Sequence, residues 1–189
     1  MKQSTFCIAS PIKEEGALAT VMSSAQERLR QENIAFNPPK LGKHITFVPP
    51  FKAAAEVEIE WLVMGLEVAH IFNCAQGVPK MAKGEKLDFF TGEKEDALIV
   101  RVTTGWNIKD LAERFRAILP KRTEWVYAPE SYLVSFHTTI AEAKGLYKAI
   151  DDHGGIKKLF KGLNFQQPIQ LEPPKVFQKE NGLWRPLRM

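Results

Sequence analysis

Lys43-His44-Ile45-Thr46-Phe47-Val48-Pro49-Pro50 and Ser135-Phe136-His137-Thr138-Thr139-Ile140-Ala141, their histidines 93 positions apart, are the stretches on which the reading of this 189-residue chain turns. Side chains of an extended strand alternate between faces, so His44 and Thr46 share one face while Ile45 and Phe47 take the other. His137 and Thr139 likewise oppose Phe136 and Ile140. Each strand therefore buries an apolar face and offers an imidazole with a hydroxyl. Either motif alone is weak, since a histidine two places before Ser or Thr arises from ordinary composition for roughly one histidine in eight. Two of them in matched strand contexts, in a chain with four histidines, carry more weight. His70 and His153 take the plainer reading of imidazoles at helix C-termini.

Working outward, Thr5 to Ser10 reads as a strand ended by Pro11, and Leu18, Val21, Met22, Ala25 and Leu29 follow at helical spacing. Lys43 to Val48 is expected to be a short strand stopped by Pro49 and Pro50. A second helix is predicted over Ala54 to Ala69, burying Val57, Trp61, Leu62, Leu66 and Ala69. Ile71 to Gln76, Lys86 to Phe90 and Ala97 to Thr103 read as antiparallel strands. Ile108, Leu111, Ala112, Phe115, Ile118 and Leu119 then mark an amphipathic helix closed by Pro120. Leu133 to Ala141 is a strand, and Ile156, Leu159, Phe160 and Leu163 lie on one helical face after the Gly154-Gly155 break. Ile169 to Val176 and Leu183 to Leu187 are expected as late strands. Short turns between many strands favour an α+β chain over a doubly wound parallel sheet. A faint twofold pattern runs through it, with a helix before and after each His-x-Thr strand.

Composition bounds the rest. A 44% hydrophobic, 25% charged chain is ordinary globular protein, and residues 1–189 are expected to form a single domain. The net charge of +4 comes without a basic tract and only weakly favours a polyanion. Cys7 and Cys74 form no Cys-x-x-Cys pair, which argues against a disulfide framework or a zinc site. The apolar run Phe6 to Ala9 is too short for a signal peptide. Val57 to His70 carries Glu58, Glu60 and Glu67 and is ill suited to a bilayer, so a cytoplasmic protein is expected, with no membrane partner. No exposed apolar run argues for assembly, and a monomer is the default. The P-loop order is absent from the Gly- and Lys-rich Gly77 to Lys86. Neither His-Glu-x-x-His nor Gly-x-Ser-x-Gly occurs anywhere.

Two imidazoles and two hydroxyls suit a phosphodiester. Opening a cyclic one needs a neutral imidazole to take a proton from water and a protonated one to donate to the departing oxygen, each contributing about 10²–10⁴ in rate. Threonine hydroxyls can donate to the nonbridging oxygens as charge redistributes. Two nearby imidazoles resist being doubly charged, so their macroscopic pKa values separate and the pH profile is bell-shaped.

On His44-Ile-Thr-Phe-Val-Pro-Pro50 and His137-Thr-Thr-Ile140 the chain resembles the 2H phosphoesterase superfamily, which includes the 2′-5′ RNA ligase-like proteins and the RNA 2′,3′-cyclic phosphodiesterases. The resemblance extends over nearly the whole chain in element order. It implies a bilobal α+β fold with two antiparallel sheets around a central cleft and helices outside. It also implies His44, Thr46, His137 and Thr139 as the catalytic set, with no metal and no cofactor. The implied partner is an RNA 3′ end or a small cyclic nucleotide. Many relatives carry an arginine after the second motif, where this chain has Glu142. Lys43, Arg101, Arg122 and Lys175 are candidates to supply that charge, and Tyr132, Phe177 and Trp184 to stack on a base. The expected activity is hydrolysis of a 2′,3′-cyclic phosphate to a 2′-phosphate. The alternatives are a 2′-5′ RNA ligase-type activity, a nucleotide- or RNA-binding module without turnover, or a structural protein; the sequence does not say which histidine is the base.

Overall fold

The predicted first strand and helix form as β1 (Ser4–Pro11) and α1 (Ala17–Gln31), where Leu18, Met22, Ala25 and Leu29 are fully buried. Burying one of these leucines or the methionine contributes about 1.5–3 kcal/mol. The computed structural model describes residues 4–53, 59, 63, 65, 82–104, 106–117, 119, 124–126 and 136–187. The strand expected over 71–76 lies outside them, as do nearly all of the helix expected over 54–69, Cys74 and His70. The remaining elements are β2 (His44–Ala53), β3 (Ala82–Phe90), β4 (Asp96–Thr104), α2 (Trp106–Ala117), β5 (Glu124–Trp125), β6 (Phe136–Ala143), α3 (Leu146–Asp152), α4 (Gly155–Leu159), β7 (Pro168–Ile169), β8 (Lys175–Glu180) and β9 (Leu183–Pro186). Among the described residues no helix is long and apolar enough to cross a membrane.

The strands make two antiparallel sheets, ordered β5-β2-β1-β8-β9 and β6-β4-β3-β7. Each His-x-Thr strand pairs with the strand that precedes its helix: β2 returns on β1 after α1, and β6 returns on β4 after α2 and β5. The helices are exchanged between the sheets, for α1 packs on β6 and β7 while α2 packs on β2 and β4. One hydrophobic core consequently runs through both sheets, with Phe47 on β2 packed edge-on to Phe115 of α2 and Phe136 of β6.

Three expectations need correction. Pro49 and Pro50 do not stop β2, which continues to Ala53. Phe6 pairs with Phe51 and Ile8 with Val48, so β2 holds an extra residue there; a bulge tolerates a missing N–H that a regular ladder would not. Ile169 to Val176 is not one strand, because Pro173 and Pro174 break it and the chain passes from one sheet to the other. The helix expected to carry Ile156, Leu159, Phe160 and Leu163 is shorter, since α4 ends at Leu159; the expected break before it is present, with Gly154 and Gly155 at φ +92° and +79°, a left-handed backbone open to glycine.

A second irregularity places the site. Thr46 pairs with Ala9 and Val48 with Ile8, which leaves Phe47 as an extra residue. In β6, Thr139 pairs with Ile99 and Ala141 with Leu98, which leaves Ile140 as an extra residue. Both His-x-Thr motifs thus end in a bulge immediately after the threonine, a feature that bends a strand and re-aims side chains. Gln26 of α1 donates its amide N–H to the Ile140 carbonyl at 2.7 Å, giving that out-of-register backbone group a partner and fixing α1 to the strand.

Candidate functional site

β2 and β6 lie against each other where the sheets meet, and their polar faces open on a cleft of about 440 Å³. His44, Thr46, His137 and Thr139 all line it, although they come from different sheets. On β2 the buried residues Ile45 and Phe47 alternate with the half-buried His44 and Thr46, as strand geometry dictates.

His44 is held from below. Its Nδ1 lies 2.8 Å from the carbonyl oxygen of Gly42, which sits in the left-handed region at φ +69°. A carbonyl can only accept, so Nδ1 carries the proton and Nε2 is left as the basic nitrogen. Burial pushes the His44 pKa down, partly opposed by that same hydrogen bond. The imidazole is therefore neutral over a wider range than an ordinary histidine. On β6, the His137 ring meets the edge of Phe90, with centroids 4.7 Å apart.

The cleft walls differ in charge. The five-stranded sheet contributes Lys52, Lys179 and Trp184, while Glu95, Asp96 and Glu142 come from the other sheet and its β3–β4 turn. Asp96 is committed to the N-terminus of α3, where its carboxylate accepts the Tyr147 N–H. Glu142 has its pKa raised by burial and by the charge of Glu95, against the opposing pull of Lys40. An acid held above its unfolded pKa stabilises the fold below the unfolded value, and that contribution is lost as pH rises through the folded one. Glu142→Gln is therefore expected to raise Tm at about pH 8 and to leave it little changed at about pH 4, where both states of the wild type are largely protonated. Thermal melts at the two pH values check this; an equal gain at both would mean that Glu142 ionisation is not the cause.

Among the described residues, Trp184 alone of the auxiliary residues expected to touch substrate lines the cleft. Lys43 does not: it precedes His44 on an extended chain, and its ammonium pairs with Glu14 at 2.6 Å. Arg101 stands opposite His137 in the β4–β6 ladder, yet its guanidinium is drawn to Asp88 at 2.7 Å and lies over the Phe90 ring. It reaches the surroundings of His137 through Phe90 rather than the cleft. Lys175 pairs with Glu172, and Phe177 is buried against Cys7 and Ala9, which removes it as a stacking surface. Arg122 and Tyr132 lie outside the described residues. Cys7 also borders the cleft, but burial pushes its thiol up to about 12, which leaves it protonated and unreactive. Lys40, Lys52, Lys179, Thr5 and Glu95 were not singled out by the sequence, since strand alternation names a face only once register and bulges are known.

No family model matches the chain, and no curated protein matches it by sequence. In shape it is similar to solved structures of Usb1 from Kluyveromyces marxianus. One is 10% identical, with 99% of this chain and 97% of that chain covered at a TM-score of 0.59. Another, of the same protein with uridine monophosphate, is 11% identical over the same shares at a TM-score of 0.50. The chain has a bilobal, 2H phosphoesterase-like fold. At this identity the likeness is one of architecture: two antiparallel sheets facing a cleft, as the α+β reading of the sequence expected.

Proposed function

We propose that the chain is a metal-independent phosphodiesterase that hydrolyses the 2′,3′-cyclic phosphate of an RNA end or small nucleotide to a 2′-phosphate. The observation that carries this reading is the convergence of His44, Thr46, His137 and Thr139 on one cleft from two sheets. His44, neutral and with Nδ1 occupied by Gly42, acts as the base: Nε2 takes a proton from a water whose oxygen attacks phosphorus. The bond from phosphorus to O3′ breaks, and protonated His137 gives its proton to that oxygen. The 2′ ester bond stays intact. Thr46 and Thr139 donate hydroxyl hydrogens to the nonbridging oxygens. The neighbours support this reading by fold, and one of them was solved with uridine monophosphate.

The test is hydrolysis of the four nucleoside 2′,3′-cyclic monophosphates, and of a short RNA ending in a 2′,3′-cyclic phosphate, in EDTA. Wild type is compared with a His44→Ala/His137→Ala variant. Metal-free turnover to a 2′-phosphate, abolished in the variant, is the expected result. A second reading, a binding module without turnover, draws on Glu142, whose charge opposes an anion in the cleft. Nucleotide binding without product by the wild type would favour it over the enzyme.

A further inference from the structure

The four residues at the far end of the cleft form one line across the five-stranded sheet. Lys52 of β2 pairs with Thr5 of β1, Thr5 with Lys179 of β8, and Lys179 with Trp184 of β9. Directly opposed residues share a face, and all four line the cleft that holds both His-x-Thr motifs. Along β1 the line is set off from Thr46 by the steps from Ala9 to Thr5, about 13 Å at roughly 3.3 Å per residue. From Lys52 to Trp184 it extends about 14 Å, taking roughly 4.8 Å per strand. A phosphate held at the two threonines cannot bring its own nucleoside across the whole of that surface.

The chemistry of the line is that of a single-strand platform. The Lys179 ammonium lies 6.0 Å from the Trp184 ring centroid and makes no ion pair with a described residue. Lys52 is exposed and only loosely paired with Glu124, at 3.7 Å. Trp184 is half-buried and packs against the small cluster of Cys7, Ala9 and Phe177, which holds the indole at the cleft wall. The acidic side chains Glu95 and Glu142 stand on the opposite wall, so a polyanion is drawn toward the lysines and away from the second sheet.

We propose that Lys52, Thr5, Lys179 and Trp184 form a subsite for the single-stranded RNA that precedes the reacting phosphate, so that the substrate is an oligonucleotide rather than a mononucleotide. This rests on the phosphodiesterase reading of the cleft. The two ammonium groups contact backbone phosphates, the Thr5 hydroxyl donates to one of them, and Trp184 stacks on a base irrespective of its identity.

The test is a binding measurement that needs no turnover: fluorescence anisotropy of the full chain with a labelled single-stranded RNA hexamer of mixed sequence ending in a 3′-phosphate, over a salt series. Lys52→Ala/Lys179→Ala is expected to weaken binding at least tenfold. Its plot of log affinity against log salt should be flatter by about 1.4, the value for two lost phosphate contacts on a single strand. Trp184→Ala is expected to weaken binding roughly tenfold with an unchanged slope, and Trp184→Phe, which keeps a ring on the Cys7, Ala9 and Phe177 cluster, to restore most of it. Unchanged affinity and slope in the lysine variant would overturn the subsite, as would a wild type that does not bind the hexamer. Binding of the hexamer through these residues, with no hydrolysis in EDTA of the same hexamer ending in a 2′,3′-cyclic phosphate, would instead uphold the subsite and count against the phosphodiesterase.

Discussion

His44→Ala is expected to lower kcat/KM for a 2′,3′-cyclic phosphate by about 10²–10⁴, the usual contribution of a positioned general base. The acid limb of the pH profile is expected to disappear with it. In the wild type that limb reports protonation of Nε2 in the free enzyme, and burial of the ring moves it below the ordinary histidine value of 6.5. The direction follows from cost: a buried imidazolium lacks the hydration it would have in water, and the Gly42 carbonyl compensates for only part of the loss. The same group links activity to stability. Its contribution to stability is present above the unfolded pKa and is lost as pH falls through the folded one. Acid should therefore weaken the wild-type fold by an increment that His44→Ala lacks. Measuring kcat/KM and thermal melts across pH for both proteins separates the roles. An acid limb that survives in the variant would assign the base elsewhere in the cleft.

Much of the architecture was legible because it depends on local periodicity. Leu18, Met22, Ala25 and Leu29 announce α1 at 3.6 spacing, and Ile45, Phe47, Phe136 and Ile140 give the inward faces of the motif strands by alternation. What was not legible depends on register. Nothing in Thr46-Phe47-Val48 or Thr139-Ile140-Ala141 states that Phe47 and Ile140 stand outside the ladder, since a bulge is a relation between two strands. Pro49 and Pro50 were misread for the same reason: they are breakers in a regular strand and harmless in a bulged one. The charged residues failed differently. Lys43 and Arg101 have the expected chemistry and sit beside the histidines in sequence or ladder, but a nearby carboxylate claims each before a substrate can. Lys52 follows the first motif on β2 and Lys179 is far from both in sequence; they become neighbours of Thr5 only when β2 and β8 pair with β1 on either side.

Phe47→Ala is expected to cost about 3–5 kcal/mol of stability, the range for removing a buried phenyl ring from a core that cannot close around the gap. For a chain of this length that corresponds to a fall in Tm of roughly 6–20 °C. Collapse is blocked on two sides. The Phe115 ring lies 5.8 Å away on α2, the Phe136 ring lies 6.1 Å away on β6, and both are anchored by their own elements. The loss should reach beyond stability, because Phe47 follows Thr46 directly and touches the residue that precedes His137. It packs between the two motif strands, whose threonines meet the same phosphate in the proposed reaction. A displacement of about 1 Å in such a site can lower the rate about a hundredfold. Phe47→Leu refills most of the volume and is expected to recover most of the stability and activity together. Denaturant unfolding and metal-free kinetics on the folded variants, at a temperature where both are native, check the coupling. If Phe47→Ala loses stability yet keeps wild-type kcat, the two strands are held in place by something other than this ring.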